Sequence, residues 1–149
     1  APALGLVWRG LVGRGAERLS VADQSIKAIE PIRTRPCPPP GKPWTVAVSR
    51  PHGDARTEAF MDSRRGAVRA KLGSAVKFGW VAEGEVDIYP RLGPTCEWDT
   101  AAGQCVLEQA GGQVVKLDGE PLEYNREDTL NPNFVGFGDA DVDWLALVR

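Results

Sequence analysis

Residues 95–112 carry the clearest structural signal in this 149-residue sequence. They read Thr-Cys-Glu-Trp-Asp-Thr-Ala-Ala-Gly-Gln-Cys-Val-Leu-Glu-Gln-Ala-Gly-Gly. We expect a helix that Asp99 opens and that ends near Ala110, because a carboxylate caps free N–H groups at a helix start and glycine ends helices. The Asp99 carboxylate could instead bind a hard cation. The small side chains at 101–103 would let another element or a phosphate approach the backbone closely.

Extended and helical segments alternate on both sides of this helix, which is typical of a layered α/β sheet. Glycine and proline separate the segments, and the stretch 118–133 reads as a long polar loop. We expect strands at 44–48, 67–72, 86–89, 114–117 and 134–137, helices at 54–64 and 75–82, a loop at 90–94, and a closing helix that Asp139 or Asp141 caps and that runs to Val148.

The first 43 residues have a different character. Residues 4–8 and 11–19 read as two strands joined by a glycine turn, which predicts a hairpin. Five prolines then fall within 36–43, a density that excludes a helix or a central strand. We therefore interpret 31–43 as a connector. We predict that residues 1–43 form the last part of one domain plus this connector, and that residues 44–149 form a C-terminal α/β domain.

Composition excludes several classes of protein. Hydrophobic residues make up 42% and charged residues 26%, which are values of a globular chain. No apolar run approaches the ~20 residues of a membrane span, and no signal peptide opens the sequence. Three widely spaced cysteines argue against a disulfide framework and for a reducing compartment such as the cytoplasm. One histidine and no CxxC pair exclude a usual zinc site.

The charges are distributed unevenly along the chain. Residues 1–81 hold 14 Lys and Arg against 6 Asp and Glu, whereas residues 82–149 hold 4 against 14. Two explanations account for this asymmetry equally well. One is chance together with charged faces exposed to solvent. The other is a site in which a basic wall holds an anion and an acidic wall holds a metal. Aromatic residues do not interleave with the basic ones, so nucleic acid is not an expected partner.

Three motifs together resemble one known family. Trp98-Asp99-Thr100-Ala-Ala-Gly, followed by a helix and Ala-Gly-Gly, is similar to the C-terminal signature of the inositol monophosphatase superfamily. Within it, Gly73-Ser74-Ala-Val-Lys77-Phe with Val-Ala-Glu-Gly resembles the CysQ-type 3′(2′),5′-bisphosphate nucleotidases. Residues 49–52 read Ser-Arg-Pro-His where those enzymes have Ser-Arg-Ser-His, and the proline removes a hydroxyl and a backbone donor. The resemblance implies a sugar-phosphatase-like α-β-α domain preceded by the last strands of a metal-binding domain.

The resemblance also implies roles for particular residues. Asp99 would bind a catalytic Mg²⁺. Charge makes Arg50 and Arg91 further candidate partners for a phosphate, ranked lower because exposed arginines are common. Cys105 is expected in the core, Trp98 is expected to pack and orient Asp99, and Glu97 could be an additional acid near the site. The residues that would contact a nucleotide are Ser49, His52, Gly73, Ser74 and Lys77.

One part of the family pattern is missing. The resemblance implies an upstream glutamate and an Asp-Pro-(Ile/Leu)-Asp-Gly-Thr motif that complete the metal site. The nearest match is Glu30-Pro31-Ile32-Arg33, which lacks the second acid, the glycine and the threonine. A single carboxylate is a poor Mg²⁺ site. We therefore expect a C-terminal portion that begins after the motif and is inactive alone.

The implied activity is the magnesium-dependent hydrolysis of 3′-phosphoadenosine 5′-phosphate to AMP and phosphate in the cytoplasm, which clears a by-product of sulfate activation. Two alternatives stay open: a phosphatase of the same superfamily for an inositol phosphate or sugar bisphosphate, and a non-catalytic nucleotide-binding module. The sequence indicates neither an oligomeric state nor peripheral membrane association.

Overall fold

Eight strands and four α-helices form within residues 1–49, 55–64 and 66–148, the part of the chain that the computed structural model describes. They agree with most of the predicted segments. In chain order the elements are β1 (Leu6–Leu11), β2 (Gly15–Ala22), β3 (Ser25–Ile32), β4 (Thr45–Ser49), α1 (Ala55–Ser63), β5 (Val68–Leu72), α2 (Val76–Ala82), β6 (Ile88–Arg91), α3 (Glu97–Gln109), β7 (Gln113–Lys116), β8 (Phe134–Phe137) and α4 (Trp144–Val148).

The strands form two sheets of different character. β1, β2 and β3 make an antiparallel sheet in which Val7 lies opposite Leu19 and Leu19 opposite Ile29. The second sheet has the order β5-β4-β6-β8-β7. In it β4 is parallel to both β5 and β6, whereas β8 is antiparallel to β6 and β7. The carboxyl ends of β4, β5 and β6 therefore lie at one edge of this sheet.

Helices cover both faces of the five-stranded sheet. Successive strand side chains point to opposite faces, and β4 shows this directly. Val46 and Val48 belong to a core with Phe60 of α1 and Trp144 of α4. Ala47 belongs to a second core, which contains side chains from α2 and α3. The layered α-β-α arrangement predicted from the sequence is thus confirmed.

The three-stranded sheet packs against the outer side of α2 and α3. Contact is close because glycines replace side chains at the crossing points. A Cβ added at Gly10 would lie 2.9 Å from the Cα of Val106, and one added at Gly79 would lie 2.6 Å from the Trp8 ring. The Trp8 indole and Arg18 also hydrogen-bond to Glu83, which follows α2. The first sheet thus shares a core with the helices.

The connector is held by hydrogen bonds to the sheet domain. Residues 33–43 contain no helix or strand. Arg35 pairs with the buried Asp87, and the backbone N–H of Cys37 donates to the Asp139 carboxylate at 2.7 Å. The boundary proposed at 43/44 stays a prediction. Among the described residues, no helix combines the length and apolar character that crossing a membrane requires.

Several sequence expectations about element boundaries were wrong. A third strand, β3, follows the predicted hairpin and includes residues 31–32, so the connector begins at residue 33. Pro31 fits there because β3 is an edge strand, where a missing N–H is tolerated. Residues 90–91, expected in a loop, end β6. Asp143, not Asp139 or Asp141, accepts a backbone N–H in the first turn of α4.

Candidate functional site

A cleft of about 270 Å³ opens where β4, β5 and β6 end. Loops at the carboxyl ends of parallel strands commonly bind ligands in α/β proteins. The strand ends bring Ser49 and Arg91 to this cleft, and the turn into α2 and the first turn of α3 form its other walls. Six of the seven residues predicted as the site line this one cleft: Ser49, Gly73, Ser74, Lys77, Arg91 and Asp99.

The seventh predicted residue, His52, lies outside the described residues, as does Arg50. The structure therefore brings together the predicted metal ligand and five of the predicted substrate contacts. Their roles in binding stay predictions, because proximity alone does not show what they bind.

Lys77 is a buried cation in the wall of the cleft. The residue is 2% exposed, and its Nζ donates to the carbonyl oxygen of Ser74 at 3.0 Å. The Nζ also lies 5.0 Å from the centre of the Tyr89 ring. Burial, and then the positive charge of Arg91, lower the pKa of Lys77 to about 8. Among the described residues no carboxylate pairs with this ammonium, so an anion in the cleft would stabilise its charged form.

Arg91 adds a second positive charge to the same cleft. Its Nη1 donates to the Ser49 hydroxyl at 3.2 Å, and its Nη2 donates to the Pro94 carbonyl at 2.5 Å. These bonds fix the guanidinium between the end of β4 and the segment before α3. Two cations and several hydroxyl groups on one concave surface favour an anionic ligand.

Asp99 lies in the first turn of α3, but not at the position expected. The N-cap is Cys96, and Asp99 is the third residue of the helix. Its Oδ2 accepts the backbone N–H of Cys96 at 3.2 Å, as in a capping box. Trp98, expected to pack and orient Asp99, is 72% exposed. Its orienting role stays a prediction.

The residues described here do not by themselves fit a Mg²⁺ ion. Mg²⁺ favours octahedral coordination by oxygen, usually from one or two carboxylates, phosphate oxygens and water. Asp99 supplies one carboxylate, and no group of three or more His, Cys, Asp or Glu occurs among the described residues that could hold a metal. We therefore assign no catalytic step through a metal to this chain.

The Glu97 carboxylate binds donors of the loop that follows β7, and its expected role as an additional acid near the site stays a prediction. Its carboxylate accepts the backbone N–H groups of Asn125 at 2.8 Å and Arg126 at 3.2 Å, and the Arg126 Nε donates to it at 3.1 Å. The first turn of α3 is thereby tied to the polar loop between β7 and β8.

Comparison with known proteins agrees with this geometry. A model of the inositol monophosphatase family matches residues 1–141. The chain belongs to that family. A 3′(2′),5′-bisphosphate nucleotidase CysQ of Escherichia coli K12 is 44% identical over 94 residues, covering 62% of this chain and 38% of that protein. The CysQ of Aggregatibacter actinomycetemcomitans is 32% identical over 152 residues, covering 97% of this chain and 52% of that protein.

Solved structures of this family share the fold of the chain. The crystal structure of CysQ from Bacteroides thetaiotaomicron superposes with a TM-score of 0.69 and 32% identity, over 85% of this chain and 51% of that one. The inositol monophosphatase from Anabaena shares the fold at 24% identity and a TM-score of 0.67. The chain is thus a CysQ-type member of the inositol monophosphatase superfamily, and it spans about half the length of the full-length relatives it matches.

Sequence reasoning missed several residues of this inositol monophosphatase cleft. Tyr89, Thr95 and Thr100 line it beside the predicted residues. Thr95 opens the 95–112 stretch and Tyr89 ends the strand expected at 86–89, and that was the available signal. Thr100 follows Asp99 directly but is 1% exposed, and nothing in its spacing indicates a place at a cleft.

Proposed function

We propose that this chain is the nucleotide-binding part of a cytoplasmic, magnesium-dependent phosphatase that hydrolyses 3′-phosphoadenosine 5′-phosphate to AMP and phosphate. The observation that carries the proposal is the buried cation Lys77, which no carboxylate of the described residues pairs with, in a cleft that Arg91 and Asp99 also line. The names of the CysQ relatives support the choice of a nucleotide bisphosphate and, through it, a role in sulfate assimilation.

The charges of the cleft match a ligand with phosphate groups. Lys77 and Arg91 provide positive charge, and Ser49 and Ser74 provide hydroxyl groups at its rim. Moving a charged lysine away from water is unfavourable unless an anion compensates it. A phosphate bound beside Lys77 would provide that compensation. Phosphate binding would therefore stabilise the charged form of Lys77, and the charged form would strengthen phosphate binding.

Hydrolysis with magnesium requires more metal ligands than the described residues present. Asp99 would be one of the Mg²⁺ ligands, and we propose that further carboxylates come from a segment outside these 149 residues. The isolated chain is then expected to bind the nucleotide without releasing phosphate from it. Magnesium-dependent phosphate release by the isolated chain at the rate of a complete phosphatase would contradict this part of the proposal.

Titration calorimetry with 3′-phosphoadenosine 5′-phosphate tests the binding proposal. We expect saturable binding, and we expect Lys77→Ala to weaken it at least ~10-fold, since a hydrogen bond or ion pair to a charged group contributes roughly 1.5–3 kcal/mol. Lys42→Ala is the matched control, because Lys42 is exposed and lies outside the cleft. Equal effects of the two substitutions would contradict the proposal.

A second ligand separates the alternatives within the superfamily. Inositol 1-phosphate carries one phosphate and no base, so it should bind more weakly than the nucleotide and respond less to Lys77→Ala. Tighter binding of inositol 1-phosphate would favour an inositol phosphatase. Nucleotide binding without magnesium-dependent phosphate release, even in a chain extended by the segment that carries the further carboxylates, would favour a non-catalytic binding module.

A further inference from the structure

The buried amide of Asn131 links the β7–β8 loop to the cleft. Asn131 is 6% exposed, and its Nδ2 donates to Thr100 Oγ1 at 3.0 Å and to Thr95 Oγ1 at 3.3 Å. Its backbone N–H donates to the Thr95 carbonyl at 2.8 Å. The two protons of the Asn131 amide are therefore directed at Thr95 and Thr100, which line the cleft together with Asp99.

Arg126 fixes which end of the amide faces the threonines. Its Nη2 donates to Asn131 Oδ1 at 3.3 Å, and its Nε donates to Glu97 at 3.1 Å. A guanidinium has donors and no acceptor. The flipped amide would turn its NH₂ group toward this guanidinium, so the orientation with Oδ1 facing Arg126 is the favourable one.

This orientation determines the direction of the Thr95 hydroxyl proton. A hydroxyl group has one proton and two lone pairs, and Thr95 Oγ1 already accepts a proton from Asn131. Its own proton must therefore point elsewhere. Thr100 differs, because its hydroxyl donates back to the Glu97 carbonyl at 3.1 Å. Among the described residues, none accepts the Thr95 proton, and Thr95 lines the cleft.

We propose that the Thr95 hydroxyl donates a hydrogen bond to a phosphate oxygen of the bound nucleotide, and that Asn131 is the positioning residue that keeps this hydroxyl a donor. The inference rests on the proposed function and adds a contact to it. A hydroxyl held as a donor favours an anionic oxygen and disfavours a cation at the same point.

Substitutions at Thr95 test the contact directly. Thr95→Val keeps the shape and removes the hydroxyl, whereas Thr95→Ser keeps the hydroxyl. We expect Thr95→Val to weaken 3′-phosphoadenosine 5′-phosphate binding about 10-fold in calorimetry and Thr95→Ser to change it less than about 3-fold.

Asn131→Asp tests the positioning role. The new carboxylate has no donor and would draw the Thr95 proton toward itself and away from the cleft. We expect about a 10-fold loss of affinity in the parent chain, but little further loss when Asn131→Asp is added to Thr95→Val. A merely structural role of Asn131 would give additive losses instead, and that result would overturn the positioning role.

The outcomes distinguish this inference from the proposed function. If the parent chain binds the nucleotide and Thr95→Val binds it equally well, the inference is overturned and the proposed function stands. If the parent chain does not bind, the proposed function and the inference fall together. If Asn131→Asp does not fold, the Thr95→Val and Thr95→Ser pair still decides the contact, because Thr95 makes one side-chain hydrogen bond among the described residues.

Discussion

The guanidinium of Arg35 holds the carboxylate of Asp87 with two hydrogen bonds, from Nε to Oδ1 at 2.6 Å and from Nη2 to Oδ2 at 2.9 Å. Asp87 Oδ2 also accepts the backbone N–H of Thr45 at 2.7 Å. The side chain of Asp87 is 1% exposed and that of Arg35 is 37% exposed. One buried carboxylate therefore joins the connector to the start of β4, the strand that carries Ser49 into the cleft.

We predict that Asp87→Asn lowers the free energy of unfolding by about 2–4 kcal/mol, because breaking a buried ion pair leaves its partners uncompensated. Urea denaturation measures the change. Asp62→Asn is the matched control, since Asp62 pairs with Arg69 while 78% exposed and should change stability by less than ~1 kcal/mol. Equal effects of the two substitutions would contradict the importance of the Asp87 pair.

The buried Lys77 should make stability depend on pH. Its pKa of about 8 in the folded chain lies below the usual 10.5, so the unfolded chain binds more protons between these values. Stability of the parent chain should therefore rise from pH 8 to pH 10.5, relative to a variant that lacks this amine. Lys77→Met should be more stable than the parent at pH 7 by ~1–3 kcal/mol, and the difference should vanish near pH 10.5.

Urea denaturation of both proteins at pH 7, 9 and 10.5 measures that difference. Lys42→Met serves as the control, because Lys42 is exposed and lies outside the cleft. A Lys77→Met variant less stable than the parent at pH 7 would show that the ammonium is compensated in the folded chain, against our interpretation.

Nucleotide binding should be linked to proton uptake at Lys77. A phosphate near the Nζ raises the pKa of Lys77 from about 8, so the chain takes up a fraction of a proton when it binds at pH 8. The contribution of Lys77, taken as the difference between the parent and Lys77→Ala, should be close to zero at pH 6.5, where Lys77 is already charged, and affinity should fall as the pH rises above 8. Calorimetry in two buffers of different ionisation enthalpy measures the uptake, and Lys77→Ala should abolish it. Unchanged uptake in that variant would assign the proton to another group.

The sequence predicted the α/β layers because short apolar runs such as β4 and β8 alternate along the chain with helical segments that end at glycine. It predicted the cleft because the motifs around Lys77 and Asp99 resemble one family. Other features had no local signal. β3 is exposed along nearly its whole length, so it lacks the alternation that identifies strands. Asn131 lies 31 residues from Thr100, within a polar loop, and such a pairing becomes evident only in three dimensions.

The packing of the first sheet on α2 can be tested at Gly79. A Cβ there would lie 2.6 Å from the Trp8 ring, well inside van der Waals contact. In an isolated helix, Gly→Ala is stabilising by ~1 kcal/mol. Here we expect Gly79→Ala to destabilise the chain by ~1–3 kcal/mol instead, because overpacking forces the indole or the strand to move.

Gly73→Ala is the matched control, because a Cβ at Gly73 meets nothing within 4 Å and its backbone is not in the left-handed region. It should change the unfolding free energy by less than ~0.5 kcal/mol. Tryptophan fluorescence during urea denaturation would follow the unfolding of the Gly79 variant, because the added Cβ displaces the Trp8 indole. A Gly79→Ala variant more stable than the parent would mean that β1 does not rest on α2 in solution, and that the first strands fold independently of the helices that line the cleft.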